Sequence, residues 1–526
     1  MQTSRSTHTF FRRAAWILGD QLSLQNAALL ALDKHQDVVV MIESLEHATA
    51  MNHHKAKLLL CFSAMRHFRD ELRALGYTVF YYELPCRYNF LSGLQALVSE
   101  HGICELLVME PHEIATVRFA ETLPALLGIP VRLMPNTMFL TSRTEFIAEY
   151  QGESHLVMEN YYRKMRRKLR VLMENGKPIG GQWNFDKANR HTARDFYAAR
   201  LCVPPLWQPS FDTIDREVQD MVETFFPNHI GSLSHFALPT TRKDAERFLD
   251  DFITHRLRYF GEFEDTMIQS EPVLFHSVLS PLLNIGLLSP MQCVEKAVTA
   301  FEAGFAPLNS VEGFVRQIIG WREFIYGCYW LKMSKTDYHE ENYFHHTRPL
   351  PQFYWTGDTP LNCLSQVIKK VLKYGYTHHI ERLMILGNFA LLAGVRPKQL
   401  NQWFWELYVD AYDWVVTPNV MGMSQFADGG FVATKPYCSS GAYIEKMSDY
   451  CKSCIYRVKD KVGPNACPFN YLYWDFLMRH EAKLRPNPRI GMIYGTLDRK
   501  SAAEKAAIRE SAEAFLASLP GNSYYT

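Results

Sequence analysis

Ala14-Ala15-Trp16-Ile17-Leu18-Gly19-Asp20-Gln21 is a short apolar run that stops in a polar turn containing glycine. Its length suits a buried strand better than a helix. Similar runs follow at Val38–Ile42, 78–83, Glu105–Met109 and Val131–Met134, and 54–75 carries helical spacing between the second and third. Short apolar strands alternating with helices predict a doubly wound parallel sheet. The Gly19-Asp20-Gln21 turn then lies at a strand C-terminus, where such sheets bind ligands. No GxGxxG is present at this turn, which argues against an ordinary dinucleotide site.

Beyond residue 140 the pattern changes. Residues 163–170 (RKMRRKLR) form a basic helical run, and a Gly/Pro-rich loop and Trp183-Asn184-Phe185-Asp186 follow. The run reads either as a solvated helix face or as a phosphate contact. From about 240 onward apolar residues recur at three and four: 245–260, 290–303, 311–331, 363–373, 378–392, 397–408 and 502–519. The expected plan is an α/β domain over 1–140, a connector over 141–235 and an all-helical domain over 236–526.

Composition sets the outer limits. In 526 residues, 56 Lys+Arg balance 55 Asp+Glu, which excludes a polyelectrolyte but leaves room for a local basic groove. A 47% hydrophobic and 21% charged content is that of a globular chain. Aromatic residues reach 13%, enough for stacking on planar ligands as well as for a core. No apolar run has the length of a membrane span, and the basic N-terminal stretch runs straight into the first strand, so a cytoplasmic protein is expected.

Eleven cysteines are too few for a disulfide scaffold. Cys451-x2-Cys454, then twelve residues, then Cys467-Pro468, has the spacing of metal-binding thiolates. A fourth ligand is required; Cys438 and Cys363 are the options, and four sulfurs suit zinc or a [4Fe-4S] cluster by ligand type.

Four further segments occur in order: His276-Ser-Val-Leu-Ser-Pro-Leu-Leu, Ile318-Ile-Gly-Trp-Arg-Glu-Phe324, His378-His-Ile-Glu-Arg382, and Asp410-Ala-Tyr-Asp-Trp414. Together they resemble the photolyase/cryptochrome family, and the cysteines resemble its bacterial iron–sulfur branch, the prokaryotic (6-4) photolyases. The resemblance covers nearly the whole chain. It implies an N-terminal antenna domain and a helical FAD-binding domain with an iron–sulfur cluster. By it Cys363, Cys451, Cys454 and Cys467 are the cluster ligands and Cys438 is left free. His276, Ser277, Leu279, Ser280, Gln317, Trp321, Arg382 and Asp410 are the implied flavin contacts. His379 is the implied proton donor and His378 its support; Val416 falls at the position near flavin N5, with Asn419 as substitute. Trp355, Trp403 and Trp405 are implied electron-transfer residues. Asp20 and Glu43 are implied contacts of an antenna, 6,7-dimethyl-8-ribityllumazine.

The expected activity is light-dependent repair of (6-4) photoproducts in DNA, by an electron from reduced FAD with a His-assisted proton transfer. A cryptochrome-type photoreceptor with the same cofactors is the alternative. UV-damaged DNA is the expected partner of a monomer. Arg163, Arg166, Arg190 and Lys435 are the expected phosphate contacts, with Tyr437 as an aromatic on the lesion side.

Overall fold

The computed structural model describes residues 10–519, so the first nine residues of the basic N-terminal stretch lie outside the described residues. The chain packs as two compact units. Of the described residues, the first comprises 10–142, 207–249 and 279–293, and the second 143–206, 250–278 and 294–519. The stretch 141–235, expected as a connector, thus contributes 143–206 to the second unit and the rest to the first.

In the first unit β1 (Arg13–Trp16), β2 (Val38–Ile42), β3 (Val79–Tyr82), β4 (Glu105–Met109) and β5 (Val131–Met134) form one sheet. Its order is β3-β2-β1-β4-β5 and every pairing is parallel. Ala14 pairs Val38 on one side and Leu106 on the other, so β1 is central and buried on both faces, as its unbroken apolar run demands. The chain leaves β1 toward β2 and returns after β3 to β4 on the other side. That reversal puts the Gly19–Gln21 turn at the topological switch point. The helix Lys55–Ala74 follows its sequence forecast to within a residue at each end.

The second unit is helical. Its core is built on fully buried aromatics, among them Trp403, Trp414, Tyr329 and Tyr354. Two helices expected to be continuous are interrupted. The 311–331 pattern folds as Leu308–Val315, a π-helical stretch Arg316–Arg322, and Glu323–Met333. The 378–392 pattern folds as His379–Glu381, a π-helical stretch Arg382–Gly387, and Asn388–Ala393. A third π-helical stretch, Pro418–Ser424, follows Asp413–Thr417. Wider turns of this kind shift side chains around the helix axis and gather at functional sites. Gly387 lets two of them meet: a Cβ there would lie 2.0 Å from Ser424 Oγ.

No helix among the described residues is long and apolar enough to cross a membrane.

Candidate active site and metal centre

The last two π-helical stretches enclose a cavity of about 480 Å³, counting the part open to solvent. Its wall includes His379, Arg382, Leu383, Phe404, Tyr408, Val416, Asn419 and Ser424. Arg382 is locked in place. Its Nη1 and Nη2 each donate to one Asp410 carboxylate oxygen at 2.9 Å, and its Nε donates to Thr377 O at 2.7 Å. The guanidinium also lies over the Tyr408 ring, 4.1 Å from the centroid. Such a planar fork, held on every edge, is a rigid cationic wall for a planar anionic or polar ligand. Val416 and Asn419 both reach the wall, so the expected residue and its substitute stand together, an apolar group and an amide. Asn419 Nδ2 donates to Val415 O at 2.8 Å, which fixes the side chain.

His379 begins the helical turn that carries Arg382 and is exposed at the cavity mouth. The protein packed around it, and then the Arg382 cation, pull its pKa down to about 4. His378 points the other way. It is buried, and its ring lies flat on His276 with centroids 4.4 Å apart and planes 12° apart. Burial holds both rings well below the usual histidine range. His276 therefore packs on a histidine, and it is not in the cavity wall. Ser277 and Ser280 are half-buried, and Leu279 is buried. Gln317 donates to Glu264 Oε1 at 2.9 Å, and Trp321 packs edge-on against Phe324. Glu264 and Asp265 gave no signal in the sequence. Burial raises them to about 8 and about 6.

The four cysteines implied as ligands converge. Cys363, Cys451, Cys454 and Cys467 line one small apolar cavity with Leu361, Ile444 and Tyr450. Cys363 lies in the first turn of the helix Asn362–Tyr374, Cys451 lies in the tight turn Tyr450–Ser453 and Cys454 ends it, and Cys467 caps Pro468–Arg479. Gly441 makes room for the last of these, since a Cβ there would lie 2.8 Å from Cys467 Sγ. Cys438 is not in this cavity.

The aromatic residues connect unequally. Trp403 is fully buried, donates its indole N–H to Tyr354 O at 3.0 Å, and stands 5.1 Å from Phe404 and 6.0 Å from Tyr408 by ring centroids. Phe404 and Tyr408 are both in the cavity wall, so Trp403 lies one ring behind it. Trp355 is buried next to Tyr354, which touches Trp403. Trp405 faces His339 instead, with ring planes 7° apart.

Two expected contacts are corrected by burial. Arg166 is 0% exposed and donates to the carbonyls of Val171, Leu172 and Trp183, so it holds the turn after its own helix and cannot meet a phosphate. Glu43 is also 0% exposed. Its carboxylate accepts from Arg66 at 2.8 and 2.9 Å, from Tyr81 OH at 2.6 Å and from Leu84 N at 2.8 Å, which leaves nothing for a chromophore. Asp20 is at the switch point, with its carboxylate 3.1 Å from His112 Nδ1. Of the other basic residues Arg190 is exposed, while Arg163 pairs with Glu159 at 2.9 Å and Lys435 is half-buried, as is Tyr437.

A parallel five-stranded α/β unit and a helical unit with a cavity walled by a clamped arginine make up the chain. The chain belongs to the photolyase/cryptochrome family. It is 46% identical to the (6-4) photolyase of Agrobacterium fabrum over 508 residues, 96% of this chain and 99% of that one. The family model of deoxyribodipyrimidine photo-lyase-related proteins matches residues 15–238. By fold the chain is similar to a bacterial class III photolyase from Agrobacterium tumefaciens (TM-score 0.57, 17% identity, 97% of this chain and 100% of that one). It is similar as well to a Synechocystis cryptochrome (TM-score 0.55, 13% identity, 98% and 100%).

Proposed function

We propose that this chain is a light-dependent DNA photolyase that reverses (6-4) pyrimidine–pyrimidone photoproducts. The observation that carries the reading is His379, open to solvent at the mouth of the cavity walled by the Arg382–Asp410 clamp. An acid–base side chain at that mouth can reach a base extruded from the duplex. Whole-length identity to a (6-4) photolyase supports the same substrate.

The residues of this cavity suit the planar ring end of FAD: Arg382, held by Asp410, would bind it, with Tyr408, Val416 and Asn419 completing the wall. FAD, when bound and reduced, supplies the light-driven electron. The chain's own contribution is the proton. In the free protein His379 is neutral at pH 7. DNA phosphates arriving at the mouth add negative charge, which favours the imidazolium. His379 is thereby charged when substrate is present, donates its proton to the lesion, and recovers it as the two pyrimidines form. Lesion and products are isomers, so electron and proton are both returned and no oxidant or reductant is consumed. Arg190 and Lys435 would hold the phosphates and Tyr437 the lesion side. Trp403, through Phe404 and Tyr408, is the proposed electron path to the cavity, with Trp355 behind it.

The cysteine site favours a [4Fe-4S] cluster. The four cysteines that line one cavity supply the four thiolates such a cluster takes. An antenna such as 6,7-dimethyl-8-ribityllumazine remains a proposal on Asp20 alone. We place the working protein in the cytoplasm, as a monomer on DNA.

The test is blue-light repair of an oligonucleotide carrying one (6-4) photoproduct, with wild type, His379→Ala and a dark control. Light-dependent recovery of both pyrimidines, lost in the variant, is expected. A flavin-loaded wild type that repairs nothing would move the reading to a photoreceptor.

A further inference from the structure

The turn that carries His379 and Arg382 has a second face. There Glu381 is buried and its Oε1 accepts from Lys370 Nζ at 2.7 Å and from the Tyr450 hydroxyl. Lys370 Nζ donates also to Tyr450 OH at 2.9 Å and to Ile268 O at 3.2 Å, so the ammonium's three protons meet three acceptors. Lys370 rides on the helix that carries Cys363, and Tyr450 directly precedes Cys451 and lines the cysteine cavity. Glu381 and Arg382 are consecutive residues. One side chain is bound to the elements that carry the cysteines, the other to Asp410 in the flavin cavity. His378, 3.9 Å from Glu381 Oε1, packs beneath the same turn against His276.

We propose that Lys370, Glu381 and Tyr450 are positioning residues that couple occupancy of the four-cysteine site to flavin binding at the Arg382 cavity. The inference rests on the cofactor reading above. Its physical basis is the stiffness of a buried, mutually bonded triad. If Cys363 and Cys451 move when their metal leaves, Lys370 and Tyr450 move with them, and Glu381 must follow or lose its only partners for Oε1. Among the described residues Glu381 Oε2 has no hydrogen-bond partner, so the carboxylate is held through Oε1. Displacing Glu381 displaces Arg382 and His379 on the same turn. A coupling between two sites is reciprocal, and typical couplings change affinity roughly 5- to 150-fold.

The experiment uses purified, cofactor-loaded protein. An anaerobic iron chelator strips the metal while cluster absorbance, flavin fluorescence and far-UV circular dichroism are followed together. In wild type, flavin release is expected to accelerate on the order of tenfold as the cluster bleaches, with the helical signal retained. In K370M/E381L/Y450F, an apolar triad of similar volume, flavin release keeps one rate before and after bleaching. Should the triple variant fail to load, E381Q, which keeps the shape but not the charge, carries the test and is expected to lose most of the acceleration. Equal acceleration in wild type and variants, or unfolding in step with bleaching, overturns the coupling, as does a wild type that holds its flavin unchanged. Protein that purifies without flavin or iron would overturn the cofactor reading itself, and the coupling with it.

Discussion

Asp410→Asn is the sharpest test of the cavity. The substitution keeps the shape of the side chain, removes its charge and turns one acceptor into a donor facing the Arg382 fork. The pair is desolvated on the acid side, with Asp410 5% and Arg382 20% exposed. Removing one partner of a buried pair costs roughly 3–5 kcal/mol, and the residual exposure of Arg382 puts this case at about 3 kcal/mol. Where that loss is felt by the bound ligand it weakens binding about 100-fold. Flavin dissociation, followed by fluorescence on dilution of loaded protein, reads the loss directly. Asp428→Asn is the control. Asp428 accepts from Tyr338 OH at 2.8 Å and is not in the cavity wall, so its loss should lower stability and leave flavin affinity within about twofold. Equal flavin affinity in Asp410→Asn and wild type would refute the assignment of Arg382–Asp410 as the flavin clamp.

Cys363→Ala is expected to abolish iron binding and Cys438→Ala to leave it intact, by iron content and visible absorbance; the reverse result would reassign the fourth ligand. Arg190→Ala should weaken DNA binding uniformly and reduce the log–log salt slope by about one. Arg166→Ala, which removes an internal carbonyl clamp, should lower thermal stability and leave that slope unchanged. His346 and His480 are held to about 3 and about 4 by burial and by neighbouring cations, and His379 to about 4. Since their folded pKa values lie below the unfolded value of about 6.5, the unfolded chain takes up more protons between pH 6.5 and 4. Stability should therefore fall as pH drops through that window; a thermal midpoint that stays flat there would contradict the lowered pKa values of these histidines.

Much of the architecture was legible because it rests on local patterns. The sheet strands were readable from buried apolar runs, and the helix Lys55–Ala74 from its periodicity. The cysteine triplet was legible from spacing, since two thiolates separated by one tight turn can share a centre. Other features left no local trace. An inserted residue in a helix does not disturb its apolar spacing enough to show, so the π-helical stretches Arg316–Arg322 and Arg382–Gly387 were read as plain helix. Arg166 and Arg163 look alike in a basic run, and only burial separates the residue that clamps carbonyls from its neighbour. Glu43 at a strand end looks like a ligand contact until Arg66 and Tyr81, distant in the chain, are seen to consume it.

By itself the sequence determined the order of strands and helices, the chemistry of the cysteine triplet, and the histidine pair before Arg382. These depend on residues close together in the chain, where covalent geometry limits the options. Spacing left Cys363 and Cys438 open as the fourth cysteine and resemblance named Cys363; tertiary structure brings Cys363 to the triplet, and it alone decided which way each histidine faces. It also decided that Glu381 ties the flavin-side turn to the cysteine-bearing helix. Those outcomes depend on contacts between distant segments, whose pairing is set by packing and burial rather than by spacing along the chain.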